Sequence, residues 1–203
     1  MTHEIYVFGS ICRGEVSPTS DVDVLVLPFT DNRTNFPPSW SIYAPELLRE
    51  YYSLGRLFAW HLHLEAKCIF SPFGLPFLST LGVPVPYSTM RKDIDDLEEL
   101  LQEAIHELKT GTKSVVYELG IVYTAIRDIA MSASWALLGT PCFSSDAPYR
   151  LPKPCPLEFV TYNQAKISRH SSTRGAEIEG DLDQAINEII CAPFEQWIES
   201  LRG

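Results

Sequence analysis

Basic residues are scarce in this sequence: 16 Lys and Arg face 26 Asp and Glu, a formal charge of −10 at pH 7. The deficit runs along the whole chain, since residues 1–86 hold 5 basic against 8 acidic groups and the remainder 11 against 18. General nucleic-acid binding needs basic patches that neutralise phosphates, so this balance argues against it. A small anionic substrate held by a metal ion and a few local cations stays compatible with it. The five cysteines, Cys12, Cys68, Cys142, Cys155 and Cys191, never form Cys-x-x-Cys. That spacing argues against a zinc ribbon and a disulfide framework and reads as reduced cytosolic thiols. Apolar runs are interrupted before the roughly 18 to 20 residues that a membrane span takes, and no basic, apolar, small-residue signal pattern opens the sequence. The expectation is a soluble cytoplasmic protein with no membrane partner. What is present is a 45% apolar content over 203 residues, enough for the core of one large domain or two small ones.

Glu4–Phe8 (EIYVF) reads as a strand that runs into a Gly9-Ser10 turn. Asp21–Leu27 (DVDVLVL) alternates before becoming wholly apolar, so Asp21 and Asp23 project from the same face of a second strand. Ser39–Tyr43 (SWSIY) predicts a third strand, and Pro45 a helix start, with apolar spacing carrying one helix from Glu46 to about Glu65. Lys67–Phe70 reads as a short strand. Residues 71–88 hold four prolines and two glycines and are expected to be a linker without an element of its own. This places a boundary between a domain of residues 1–86 and a helical domain of residues 87–203. In the latter, helices are predicted over about Arg91–Lys109, Ser114–Leu138, Leu157–Arg169 and Leu182–Leu201, the last kinked or broken at Pro193. The fold class is α+β: a mixed sheet with helices, then a part resembling a four-helix bundle.

The chemistry is concentrated in FGSICRG (Phe8–Gly14) and SDVDVLV (Ser20–Val26). Glycine permits close backbone approach, and Ser10 with nearby amides can donate hydrogen bonds to phosphate oxygens. Two carboxylates leaving a strand together make a hard oxygen site suited to Mg²⁺, which takes one or two protein carboxylates plus substrate phosphates. Asp21 and Asp23 are thus the candidate metal ligands, and Gly9, Ser10, Arg13 and Ser20 the candidate nucleotide-binding residues. With two ions about 3.5 to 4 Å apart, one would orient the triphosphate and the other lower the pKa of an attacking hydroxyl. An Asp-x-Asp without the upstream Gly-Ser would read as an edge strand with solvated aspartates.

These two segments resemble the nucleotidyltransferase superfamily typified by DNA polymerase beta, the kanamycin nucleotidyltransferases and the minimal nucleotidyltransferases of bacterial toxin–antitoxin modules. The resemblance covers residues 1 to about 70. It implies a mixed sheet backed by helices, Mg²⁺-dependent transfer of a nucleoside monophosphate from a nucleoside triphosphate, and metal binding at Asp21 and Asp23. The superfamily usually has a third carboxylate on a following strand, where SWSIY offers Ser41 and no acid. Two residues are candidates for that role. Glu65 would otherwise pair with His61 at i, i+4, and Glu118 lies on an apolar helix where burial would raise its pKa.

Val115–Trp135 resembles the helical substrate-binding or HEPN-type domains that accompany such transferases. The HEPN ribonuclease pattern needs a His shortly after an Arg, whereas Arg127 is followed by DIAMSASW. Arg127 is expected to form an ion pair with Asp128 or Glu118. Arg174 in SSTRG could approach a triphosphate or lie in an exposed loop. His61 and His63 lack a third ligand for zinc. Two functions follow: an enzyme acting on an acceptor hydroxyl of a small molecule, a protein or an RNA end, or a nucleotide-binding subunit with weakened turnover. The second would work through a partner protein or a homo-oligomer in a toxin–antitoxin or defence setting.

Overall fold

Side-chain alternation decides the first strand pair. In β1 (His3–Phe8), Tyr6 and Phe8 face a core shared with Leu25 and Leu27 of β2 (Asp23–Pro28). The two strands run antiparallel with Phe8 opposite Asp23 and His3 opposite Pro28. Two short strands complete a mixed sheet of order β3-β2-β1-β4: β3 (Ser41–Ile42) lies parallel to β2, and β4 (Lys67–Phe70) antiparallel to β1. The computed structural model describes residues 2–16, 22–30, 36–174 and 182–202. Their contacts divide the chain into two compact units, Met1–Thr89 and Met90–Gly203.

The helices of the first unit cover the Tyr6–Phe8 face. Leu48 and Tyr52 come from α2 (Pro45–Ser53), Ala59 and Leu62 from α3 (Leu57–Glu65), and Phe77 and Leu78 from α4 (Phe77–Thr80). Each large side chain buried there contributes about 1.5–3 kcal/mol. A single helix over Glu46–Glu65 does not form, because the chain turns at Gly55. Its φ of 63° is left-handed, and a Cβ there would stand 2.3 Å from the Val85 carbonyl oxygen. Both resulting helices keep their apolar faces on the sheet, which is why the periodicity reads straight through the break.

The segment 71–88 is also more than a linker. It contains α4, and Glu4 reaches it from β1. The Glu4 carboxylate is fully buried and accepts hydrogen bonds from Tyr6 Oη, from Ser71 Oγ at 2.7 Å and from the Phe77 N–H at 2.8 Å. Tyr6 Oη in turn accepts from the Leu78 N–H at 3.1 Å. Burial, reinforced by Glu4, pushes the Tyr6 phenol above its ordinary pKa. Three donors satisfy a charge that would otherwise be costly to bury.

The second unit is helical. α5 (Met90–Thr110) and α6 (Val115–Leu138) pack together, α6 meets α8 (Phe159–Arg174), and α9 (Leu182–Cys191) touches both α5 and α8, closing a ring of four helices. The short α7 (Ala147–Arg150) and the final α10 (Phe194–Leu201) lie against α6. A helix break falls at Pro193, as that residue predicts. By length and composition α6 is long and apolar enough to cross a membrane. Its buried residues, among them Leu119, Val122, Ile126 and Ile129, belong to the core of this unit. Gly120 lets α8 approach closely, since a Cβ there would stand 3.0 Å from Arg169 Cα.

Candidate active site

At the end of β1 the backbone makes a turn that only glycine takes without strain: Gly9 has φ 75° and ψ −149°. The Asp23 carboxylate fills the space that a side chain would claim, with Oδ2 2.2 Å from the position of an added Cβ. The register that sets Phe8 opposite Asp23 thus holds an acid against the backbone of the turn. α1 (Ser10–Arg13) begins immediately, tied down by the Cys12 and Arg13 N–H groups donating to the Gly9 carbonyl at 3.0 and 3.3 Å. Ser10 is half-buried at its start. Ser20 and Asp21 lie outside the described residues.

Arg13 closes α1 and turns toward α3. Its Nε donates to Glu15 Oε2 at 2.9 Å and its Nη1 to Glu65 Oε2 at 2.6 Å, and the same Glu65 oxygen lies 2.9 Å from His61 Nε2. The side chain of Glu65 is 11% exposed. The His61 ring stands edge-on to Phe8, 5.4 Å between centroids, which fixes the end of α3 beside the turn. The i, i+4 spacing indicates the His61–Glu65 pair; the Arg13 contact is tertiary and leaves no local trace in sequence.

The Cys12 thiol reports the charges around this turn. Burial pushes its pKa up, Lys67 and Arg13 oppose that rise, and Glu65 and Asp23 add to it. Lys67 opens β4 opposite Val7, adjacent in register to the Phe8–Asp23 pair. In the sequence Lys67 is marked only as the first residue of a strand and by its place two residues after Glu65.

Glu118 belongs to the second unit. It lies half-buried in the first turn of α6, on a groove of about 630 Å³ lined also by Glu103, His106, Glu107 and Tyr117. Burial, then the charge of Glu107, holds its carboxyl above the usual range. Arg127 makes its ion pair with Asp128, Nη2 to Oδ1 at 2.8 Å, and lies over the Tyr123 ring. α8 runs as far as Arg174, so the SST of SSTRG is helical; Gly175 lies outside the described residues.

Among the described residues no cluster of three or more His, Cys, Asp or Glu forms a ready metal cage. The oxygen donor at Asp23 does suit a hard divalent cation, which takes few protein ligands and completes its shell with substrate oxygens. The glycine beneath that carboxylate leaves room for the acid itself against the backbone of the turn.

Residues 2–64 match the family model of the nucleotidyltransferase domain. This part of the chain is similar to a nucleotidyltransferase domain. No curated protein matches the chain. The match takes in β1, α1, β2, β3 and α2 and stops one residue short of the end of α3. The matched segment therefore includes the Gly9 turn and Asp23, while Glu65 and β4 lie beyond it. With the mixed sheet and the helical second unit, the α+β class expected from the sequence holds.

Proposed function

We propose that the protein is a Mg²⁺-dependent nucleotidyltransferase that moves a nucleoside monophosphate from a nucleoside triphosphate to an acceptor hydroxyl. The observation that carries this reading is the Asp23 carboxylate held against Gly9, inside a segment that matches the nucleotidyltransferase domain. Asp21 and Asp23 would hold the metal, which supplies charge neutralisation at the phosphates and acidifies the attacking hydroxyl. Gly9 admits the triphosphate to the backbone, and Ser10 offers it a hydroxyl donor. The acceptor oxygen attacks the α-phosphorus, the bond to the bridging oxygen breaks, and pyrophosphate leaves with that bond's electron pair. The acceptor's proton passes to a carboxylate. Glu65 is favoured for that step over Glu118 because it shares a unit and a charge cluster with Asp23. The acceptor class is a small molecule, a protein side chain or an RNA end, and the net charge weighs against the last.

A second reading has a specific observation behind it. β3, the strand where the family resemblance expects a third acid, offers Ser41 beside Leu25 and no carboxylate, and Glu65 Oε2 is already shared by Arg13 and His61. A nucleotide-binding subunit with weakened turnover, acting through a partner protein in a toxin–antitoxin or defence setting, would have this constitution.

Incubation with each labelled nucleoside triphosphate, Mg²⁺ and a panel of acceptors separates the two. The enzyme reading expects label transfer that falls on the order of a thousandfold in Asp21→Ala/Asp23→Ala. Nucleotide binding without transfer from any triphosphate establishes the second reading instead. Glu65→Gln and Glu118→Gln, assayed separately, identify the proton acceptor by which of them loses turnover while still binding nucleotide.

A further inference from the structure

The surface of the helical unit is concave where α5 and α6 meet. Only residues 111–114 separate the two helices, so they form a hairpin, and the groove of about 630 Å³ lies toward its closed end. Leu100, Glu103, Ala104 and Glu107 border it from α5 at i, i+3, i+4 and i+7, the spacing of one helix face. That border is roughly 10 Å long, about two turns of helix. Ile121 adds an apolar side chain from α6, and Tyr117, one turn earlier, lines the groove with 56% of its surface exposed. A trough of this kind along two packed helices is the shape into which the ridge of another helix fits.

Charge selects the occupant. Glu103 and Glu107 are exposed and Glu118 half-buried, and among the described residues none of the three has an ion pair. Neither Lys nor Arg lines the groove, and His106 is its one basic side chain. Like charges at i, i+4, as in Glu103 and Glu107, oppose each other on a helix. The carboxyl of Glu118, held above the usual range by burial and then by Glu107, registers the same unanswered charge. A second copy of the chain, at −10, brings charge of the same sign and is disfavoured as the occupant. We propose that the groove docks a basic amphipathic helix of a partner protein, with its apolar stripe on Leu100, Ala104 and Ile121 and its Lys or Arg side chains paired with Glu103, Glu107 and Glu118. Tyr117 offers such cations a ring face as well. This docking stands apart from the nucleotide reading of the Gly9–Asp23 site. The competing role for these acids is that of a solubilising face, and a groove of this volume also suits a small organic polycation.

Fluorescence anisotropy of the full chain with a labelled Leu/Lys peptide of about 16 residues, its leucines on one helical stripe, tests the proposal. The amphipathic peptide is expected to bind, and a scrambled peptide of the same composition about tenfold more weakly or less. Glu103→Gln/Glu107→Gln and Tyr117→Ala should each weaken the helix about tenfold. Glu46→Gln/Glu50→Gln, the same charge change at the same spacing on the exposed side of α2, should keep the parent affinity. The thermal midpoint of Glu103→Gln/Glu107→Gln should equal or exceed that of the parent, since a like-charge pair is removed, so that lost docking is not lost fold. Equal binding of the scrambled peptide, an equal loss in the α2 variant, or no binding at all overturns the docking site and leaves a solubilising face. Spermine bound as tightly as the helix, and equally weakened by Glu103→Gln/Glu107→Gln, overturns it in favour of a small polycation. The nucleotide reading is untouched by any of these results, because label transfer is its readout.

Discussion

In the first unit the core encloses a buried acid with its donors, whereas in the second a ring of helices buries mainly aliphatic side chains, with an aromatic cluster of Tyr123, Tyr149 and Tyr162. Glu4, buried and hydrogen-bonded to Tyr6, Ser71 and Phe77, has no acidic counterpart among the described buried residues of α5 and α6, where Ile94, Leu101, Leu119, Ile126 and Ile129 do most of the packing. Around the Gly9 turn, Arg13, Glu15, His61 and Glu65 form a connected set of charges. The contrast shows where chemical specificity is stored. A substitution in the aliphatic ring changes how much free energy holds the fold, while one in the first unit changes which groups face the turn.

Substitutions at four positions sharpen or break that contrast. The largest effect on stability is expected from Ile126→Ala, a fully buried position on α6, at about 3–4 kcal/mol by denaturant unfolding. Glu4→Ala should cost about 3 kcal/mol, because it strands the Tyr6, Ser71 and Phe77 donors in the core. A Glu4→Met variant as stable as the parent would erase the distinction, since the polar network would then contribute nothing beyond its volume. Next comes Gly9→Ala, at about 2 kcal/mol for the positive φ. Its added methyl also displaces Asp23, so nucleotide affinity should fall together with the thermal midpoint; retained affinity would detach Asp23 from the proposed site.

The smallest effect concerns pH. Glu118 has a folded-state pKa above its unfolded value, so between the two values the folded chain binds more protons and stability declines as pH rises through that window. Glu118→Gln should therefore raise the thermal midpoint slightly at pH 7 and leave it unchanged below the ordinary carboxylate pKa. An identical midpoint at both pH values would remove Glu118 from the strained groups of the second unit.

Local pattern made some of this legible and tertiary contact hid the rest. An apolar, β-branched and aromatic run ending at Gly9-Ser10 revealed β1, period-two alternation revealed β2, and helical spacing revealed α5 and α6. The Gly9-Ser10 turn and Asp23 were legible because a glycine at a strand end and an acid on an apolar strand are both locally conspicuous. Gly55 was not, since apolar spacing continues in phase on both sides of it. α4 hid among prolines because its four residues are held by the core and by Glu4 rather than by helix propensity. Neither the partner of Arg13 nor the setting of Lys67 could be read, because Glu65 lies 52 positions from Arg13 and the Val7–Lys67 register exists only once the sheet has formed.

The grip of Glu4 on residues 71–78 carries a practical lesson for anyone dividing this molecule. A proline-laden stretch invites a cut at its near end, yet here such a cut would leave an unanswered anion inside the amino-terminal fragment. Tyr87, itself buried, shows that residues beyond α4 are still needed. An expression boundary set after Tyr87 keeps the anion's donors with their owner, and one set before Ser71 produces a fragment prone to precipitate.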